Sequence, residues 1–170
     1  MKRRQHLALF AGLLATASVA PWLLSGCTRR ESAPEVSYTL LGGRKDELKA
    51  QRGKVMLVNF WATSCTTCVH EMPHIIETYQ KFKDRGFDTL AVAMSYDPPA
   101  FVANFAESRQ LPFGVAIDNT GAVAKGFGEV RLTPTTFLVD KRGGIVKKYV
   151  GEPDFAALHQ LIEELLAEKA

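Results

Sequence analysis

Cys65 and Cys68 are the residues whose type and spacing most clearly indicate chemistry, since only Thr66 and Thr67 separate them. A Cys-x-x-Cys pair serves either thiol–disulfide exchange or metal binding. A disulfide across so short a loop would add little to stability, because loop-closure stabilisation grows with loop length. The pair therefore indicates reactive sulfur atoms rather than a structural crosslink.

The pair lies between a predicted buried strand and a predicted helix. Residues 55–60 form an apolar run of strand length, and helical spacing extends from the cysteines to Arg85, where Gly86 can end the helix. Unpaired amides and the dipole at a helix start favour a thiolate, and such sites lower a thiol pKa from about 8.5 to roughly 3.5–7.5. We therefore expect Cys65 to attack a substrate and Cys68, one turn on, to resolve the mixed disulfide.

Apolar runs and helical patterns alternate along the rest of the chain. The runs predict strands at 38–41, 87–94, 111–117, 135–140 and 145–150, and the helical patterns lie at 46–51, 98–109, 119–127 and 154–169. The last two strands are joined by Gly143-Gly144, which predicts an antiparallel hairpin. This alternation predicts a three-layer α/β domain with a mixed central sheet and helices on both faces.

The N-terminus has the pattern of an export signal. A basic start, Met1 to Arg4, precedes the uncharged apolar run 7–24, which ends in Leu24-Ser25-Gly26-Cys27. The last four residues resemble the lipobox of bacterial lipoproteins, which implies cleavage before Cys27 and lipidation of its sulfur and new amino group. The alternative is an uncleaved helix that spans the membrane. Both readings place the protein outside the cytoplasm and tethered to a membrane.

These features predict residues 1–26 as signal peptide, 27–36 as a flexible lipidated tether and 37–170 as one domain. The full chain has 21 basic and 18 acidic residues, and three of the basic ones belong to the signal. The charges of the mature chain therefore balance. No basic stripe indicates a nucleic-acid partner.

Three segments around the cysteines resemble the TlpA/ResA family of extracytoplasmic thioredoxin-like proteins. They are residues 58–63 (Val-Asn-Phe-Trp-Ala-Thr), 71–73 (Glu-Met-Pro) and 132–137 (Leu-Thr-Pro-Thr-Thr-Phe). The resemblance extends from Tyr38 to the C-terminal helix. It implies a thioredoxin-like fold and exchange of dithiols and disulfides with extracytoplasmic proteins, with no cofactor beyond the cysteine pair.

The resemblance also assigns roles around the pair. Glu71, three residues after Cys68, matches an active-site glutamate, and a partly buried carboxylate there could exchange a proton with Cys68. The alternative is a solvated glutamate on the helix surface. Asn59 occupies the position of the buried aspartate of ordinary thioredoxins, which makes Glu71 the better proton carrier.

A cis peptide at Thr133–Pro134 is implied by the same resemblance, with the loop bent against Cys65 and the Thr133 backbone open to a substrate strand. The alternative is a trans proline at a strand start. Trp61 is expected beside the site, either as packing or as a third substrate-binding residue. Pro73 should kink the helix, because it removes a backbone hydrogen bond.

Two positions depart from the family pattern. Ser64 stands where the family commonly has tryptophan, and Thr67 stands where it often has proline. Residues next to the cysteines tune thiolate stability, so redox potential and partner choice stay open. The resemblance favours a reductant, with a role in cytochrome c maturation as one option and a membrane thiol as electron donor.

Two other functions remain alternatives. His70 and His74 lie near the cysteines, as in a zinc or copper carrier, but at about 100° per residue they lie on a helix face roughly opposite Cys68. A peroxidase of the peroxiredoxin type would use one activated cysteine and an upstream threonine, of which Thr63 is a weak counterpart. Because the two histidines face away from Cys68, we predict no metal ligands.

Overall fold

A six-stranded mixed sheet is the centre of the molecule in the computed structural model, which describes residues 30–169. Its strands are β1 (Glu31–Ser32), β4 (Val55–Trp61), β5 (Phe87–Ala93), β6 (Gly114–Ile117), β7 (Thr135–Val139) and β8 (Gly144–Val150). They lie in the order β1-β8-β7-β4-β5-β6, and β2 (Ser37–Thr39) pairs with β3 (Lys45–Glu47) in a separate small sheet. Strands β4, β5 and β6 are parallel to one another, whereas β7 is antiparallel to β4 and β8 to β7.

Four α-helices are present: α1 (Thr66–Phe82), α2 (Pro99–Ser108), α3 (Ala122–Gly126) and α4 (Phe155–Ala167). Short 3₁₀ turns follow β3 and α1, at Leu48–Gln51 and Lys83–Arg85. Gly86, with φ of 87°, ends the second turn in a left-handed conformation that glycine adopts without steric cost. The carboxylate of Asp154 accepts hydrogen bonds from the amides of Ala156 and Ala157 and so caps α4.

Alternate residues of β4 enter two separate hydrophobic cores. Val55, Leu57 and Trp61 pack on one face with residues of α1, α2 and α4. Residues 56, 58 and 60 pack on the other face with α3 and the small sheet. The pleat of the strand causes this division, and the predicted α/β class with helices on both faces of a mixed sheet is confirmed.

The N-terminal segment differs from the prediction of a flexible tether. Residues 30–36 lie on the domain, where β1 pairs with β8 and the amide of Ala33 donates to the carbonyl of Gly143. Arg30 Nη1 also contacts Asp140 at 2.8 Å. Polar composition favoured a tether, but these are edge-strand contacts, which do not require apolar residues.

Two predicted elements are shorter or different in kind. Residues 46–51 divide between β3 and a 3₁₀ turn instead of forming one helix. The strand predicted from residue 111 begins at Gly114, after Pro112, which has no amide hydrogen to donate to a sheet. The other strands and helices agree with the prediction to within a few residues.

Candidate active site

A disulfide joins Cys65 and Cys68 at the N-terminus of α1, with their Cα atoms 5.2 Å apart. Cys65 is the N-cap residue, and its sulfur accepts a hydrogen bond from the amide of Cys68 at 3.2 Å. Cys65 is partly exposed, whereas Cys68 has no exposed surface. Only the first sulfur can therefore be reached by a large substrate, and the amides at the helix start can stabilise negative charge on it.

Glu71 lies one turn after Cys68, and its side chain is completely buried. Its Oε1 accepts a hydrogen bond of 2.9 Å from Asn59 Nδ2, whereas Oε2 is buried without a partner among the described residues. Burial raises the pKa of Glu71 to about 7; the Asn59 hydrogen bond opposes this shift, and the charge of Glu152 adds to it. The solvated-glutamate alternative is therefore wrong, and a buried carboxyl whose pKa is raised to about 7 lies one helical turn after Cys68.

The Thr133–Pro134 peptide is cis, the geometry that the resemblance implied. Thr135, the first residue of β7, pairs with Phe60 near the end of β4, so the loop before β7 lies at the same end of the sheet as the cysteines. The carbonyl of Pro134 accepts a hydrogen bond from the amide of Gly151. Pro134 is buried and Thr133 is half-buried, which leaves part of the threonine accessible.

Trp61 is not at the surface of the site. Its side chain has no exposed area and packs against Phe105, with ring centroids 5.0 Å apart. A side chain without exposed area cannot contact a protein substrate, so the prediction that Trp61 binds substrate is wrong. It forms part of the core beneath the cysteines instead.

Asp97 is a residue of this region that the sequence analysis did not identify. Its buried carboxylate accepts two hydrogen bonds from Thr63, one from the amide and one from the hydroxyl, both at 2.6 Å. The next residue back, Tyr96, places its hydroxyl 3.4 Å from the Thr133 hydroxyl. The loop after β5 thus connects the cysteine loop with the proline loop. A signal was present, because Asp97 is an acidic residue shortly after the strand predicted at 87–94.

The same contact bears on the peroxidase alternative. The Thr63 hydroxyl donates to Asp97. A threonine engaged in this way does not direct its hydroxyl at Cys65. The weak sequence counterpart of a peroxidase threonine therefore has a structural partner.

The two histidines near the pair contact other groups. His70 Nδ1 lies 3.2 Å from Glu152 Oε2, and the ring of His74 lies 5.1 Å from that of Phe155. Within residues 30–169, no three His, Cys, Asp or Glu side chains are arranged to hold a metal ion.

The predicted signal peptide and the lipidation site Cys27 lie outside the described residues. In the part of the chain that the structure does describe, no helix combines the length and apolar character needed to cross a bilayer.

Comparisons with known proteins agree with this geometry. Residues 29–162 match the Redoxin family. The thiol-disulfide oxidoreductase ResA of Bacillus thuringiensis is 37% identical over 135 residues, which cover 79% of this chain and 77% of the relative.

Two solved structures are also similar. One, from Neisseria meningitidis and assigned as a thioredoxin, is 42% identical with a TM-score of 0.74, covering 80% of this chain and 90% of the other. The exposed lipoprotein thioredoxin Etrx1 of Streptococcus pneumoniae is 25% identical with a TM-score of 0.68, covering 77% and 99% of the two chains.

Proposed function

The chain belongs to the Redoxin family, among its ResA- and TlpA-like thiol–disulfide oxidoreductases, and we propose that it reduces disulfides of extracytoplasmic proteins from a membrane anchor. The observation that carries the proposal is the Cys65–Cys68 disulfide at the start of α1, with one sulfur accessible and the other buried. This asymmetry suits a two-step exchange in which one cysteine meets the substrate and the other does not.

In the reduced protein, the Cys65 thiolate attacks one sulfur of a substrate disulfide. A mixed disulfide forms, the substrate S–S bond breaks, and the first substrate sulfur leaves as a thiolate that takes up a proton. Cys68 then loses its proton and attacks the Cys65 sulfur, which restores the intramolecular disulfide and releases the second substrate thiolate. Two electrons pass from the dithiol to the substrate, and a second thiol donor must reduce the protein again.

Glu71 is the proposed acceptor of the Cys68 proton. Cys68 and Glu71 are both without exposed surface, so solvent is a poor partner for that proton transfer. A base works best when its pKa lies near the working pH, and burial raises the pKa of Glu71 to about 7. Glu71 can therefore accept the proton as Cys68 attacks and return it when the protein is reduced.

Thr133 and Pro134 are the proposed substrate-binding residues. Their loop lies at the cysteine end of the sheet and next to Leu132, which is 65% exposed. An extended substrate segment could pair with the accessible backbone of Thr133 while its sulfur reaches Cys65. Trp61 has no part in this contact.

Lipidation of Cys27 is the proposed anchor. Leu24-Ser25-Gly26-Cys27 matches a lipobox at each position, and a similar protein from Streptococcus pneumoniae is named an exposed lipoprotein. Several acyl chains would give stable attachment, whereas one chain holds only marginally. The anchor would keep the domain outside the cytoplasm and close to a membrane thiol that supplies electrons.

The test uses insulin as a model disulfide substrate. The wild-type protein should accelerate insulin reduction by dithiothreitol, Cys68→Ser should accumulate a mixed disulfide through Cys65, and Cys65→Ser should do neither. Full insulin-reductase activity in both variants would contradict the mechanism. Rapid peroxide consumption by Cys68→Ser would indicate a peroxidase instead.

The reduction potential tests the direction of electron flow. A reductant should have a value near that of thioredoxin, about −270 mV, whereas a strong oxidant lies near −120 mV. A value near the second figure would reverse the proposed direction and leave the exchange chemistry unchanged.

A further inference from the structure

Asn59 and Thr136 form a buried polar pair under the cysteine helix. They lie opposite each other on the neighbouring strands β4 and β7, and neither side chain is more than 1% exposed. Asn59 Nδ2 donates to Thr136 Oγ1 at 2.9 Å and to Glu71 Oε1 at 2.9 Å. The Asn59 amide thus links the Thr136 hydroxyl on the sheet to the Glu71 carboxylate on the helix.

Both hydrogens of the Asn59 amide are used in these contacts. The threonine oxygen fixes one hydrogen and the carboxylate oxygen takes the other, so the amide plane has one orientation while Glu71 is charged. The reversed amide would set Asn59 Oδ1 against a buried carboxylate oxygen, which is repulsive. The carboxylate charge thus sets which end of the amide faces Glu71, and the Thr136 hydroxyl holds that end in place.

This arrangement makes the two oxygens of Glu71 unequal. Oε1 already accepts a hydrogen bond, whereas Oε2 is buried and without a partner among the described residues. A proton that arrives at the carboxylate therefore goes to Oε2. An amide neither gains nor loses a proton near neutral pH, so Asn59 orients the carboxylate without competing for that proton.

We propose that Asn59, held by Thr136, is a positioning residue that fixes the Glu71 carboxylate and assigns the exchangeable proton to Oε2. The proposal rests on the proposed function, since it concerns the proton that Cys68 gives up. It adds two sheet residues to a site whose other members lie on α1 and on the proline loop. The pair acts only through Glu71 and touches no reacting sulfur.

The direction of the effect follows from the hydrogen bond. A donor to a carboxylate favours the charged form, so loss of the Asn59 donor must raise the Glu71 pKa above about 7. Glu152, which acts from the loop before α4, raises the same pKa by its charge and is paired with His70. In the disulfide form Cys65 and Cys68 do not titrate, so the Glu71 carboxyl can be followed apart from the thiols.

The experiment is a carbon-13 NMR titration of the Glu71 side-chain carboxyl in the disulfide form, assigned with Glu71→Gln. Asn59→Leu removes the donor at similar volume and should raise the Glu71 pKa by about one unit. Thr136→Val removes only the oxygen that holds the amide and should raise the pKa by about half a unit. Thr136→Ser keeps a hydroxyl and should restore the wild-type value.

If Asn59→Leu does not fold, the variants Thr136→Val and Thr136→Ser still test the proposal. A structural role alone would lower the melting temperature of Thr136→Val and leave the Glu71 pKa where it was, and that outcome overturns the proposal. The pH profile of insulin reduction should shift upward with the NMR titration.

The two proposals fail in different ways. If the protein exchanges disulfides normally but the Glu71 titration does not respond to the Thr136 variants, the positioning role is wrong. If the titration responds as expected but no variant, nor the wild type, reduces insulin, the positioning role stands and the proposed function is wrong.

Discussion

Two buried carboxylates near opposite ends of β7 have opposite environments. Asp140, just after the strand, accepts hydrogen bonds from Arg30 and from the amides of Arg142 and Gly144. Glu71 has one donor, Asn59, which also contacts Thr136 near the start of the strand. The two carboxylates are similarly buried, but Asp140 has three hydrogen-bond donors to compensate its charge, whereas Glu71 has one.

Their pKa values move in opposite directions for this reason. Burial by itself would raise the pKa of Asp140, but the Arg30 guanidinium and the two amides outweigh it and lower the pKa below its usual value. Burial dominates at Glu71 and raises the pKa to about 7. A carboxylate with several donors stays charged and supports the fold, whereas one with a single donor can exchange a proton at neutral pH.

Removal of Asp140 should give the largest change in stability. Asp140→Ala leaves the amides of Arg142 and Gly144 without their acceptor and Arg30 with Glu168 alone, and each buried group left unpaired costs about 1–3 kcal/mol. Urea unfolding of the disulfide form at pH 7 measures this loss, and insulin reduction should be unchanged because Asp140 is far from the cysteines. Glu168→Ala is the matched control: it removes the more exposed partner of Arg30, and its expected cost is below about 1 kcal/mol. Equal losses of stability in Asp140→Ala and Glu168→Ala would contradict the stabilising role assigned to Asp140.

Glu71→Gln should change the pH dependence of the free energy of unfolding, by slightly less than the loss of stability expected for Asp140→Ala. The pKa of Glu71 is raised in the folded protein, so the folded protein binds this proton more tightly than the unfolded chain does. The stabilisation that results is fully present below the ordinary pKa of 4.5 and is lost as the pH rises to about 7. Between pH 4 and pH 8 the wild type should lose about 3 kcal/mol relative to the variant. Asp140 acts in the opposite sense, since its contribution is present above 3.8 and is lost as pH falls through its lowered pKa.

The control for this variant is Glu77→Gln, an exposed glutamate of the same helix. It should leave the pH dependence of unfolding almost unchanged. If Glu71→Gln and Glu77→Gln gave parallel stability curves from pH 4 to pH 8, Glu71 would not be desolvated in the folded protein.

Glu152→Gln should give the smallest effect. The Glu152 charge raises the Glu71 pKa, so its removal should lower that pKa by a few tenths of a unit, and the shift should shrink in high salt because screening weakens interactions between charges. The NMR titration of the Glu71 carboxyl measures it. An upward shift, or one that salt does not alter, would show that Glu152 acts on Glu71 by some route other than its charge.

Much of the site could be predicted from the sequence because its signals are local. The cysteine spacing, the apolar strand before it and the helical spacing after it lie within one stretch of chain, and α1 begins where they indicate. The family resemblance indicates Glu71, and its spacing of three residues from Cys68 places it on the same face of the helix. Asp97 was missed, although it follows a predicted strand, because nothing local relates it to Thr63, 34 residues earlier.

Burial was the harder property to predict. The sequence leaves Trp61 two roles, packing or substrate binding, and the pleat of β4 selects packing by directing the side chain into the core, against Phe105. Composition predicts a tether for the segment 30–36, but its residues Glu31 and Ser32 pair with β8 at the edge of the sheet. Amino-acid composition does not show which edge of a sheet lacks a paired strand.

The sequence by itself determined the chemistry, the α/β class and the order of elements, because periodicity and short motifs are properties of neighbouring residues. Only the tertiary structure decided how that chemistry is controlled. Asn59 meets Glu71 across 12 residues and Thr136 across 77, and Arg30 meets Asp140 across 110. Strand order and register produce these contacts, and a carboxylate's pKa depends on the donors and the burial that they provide.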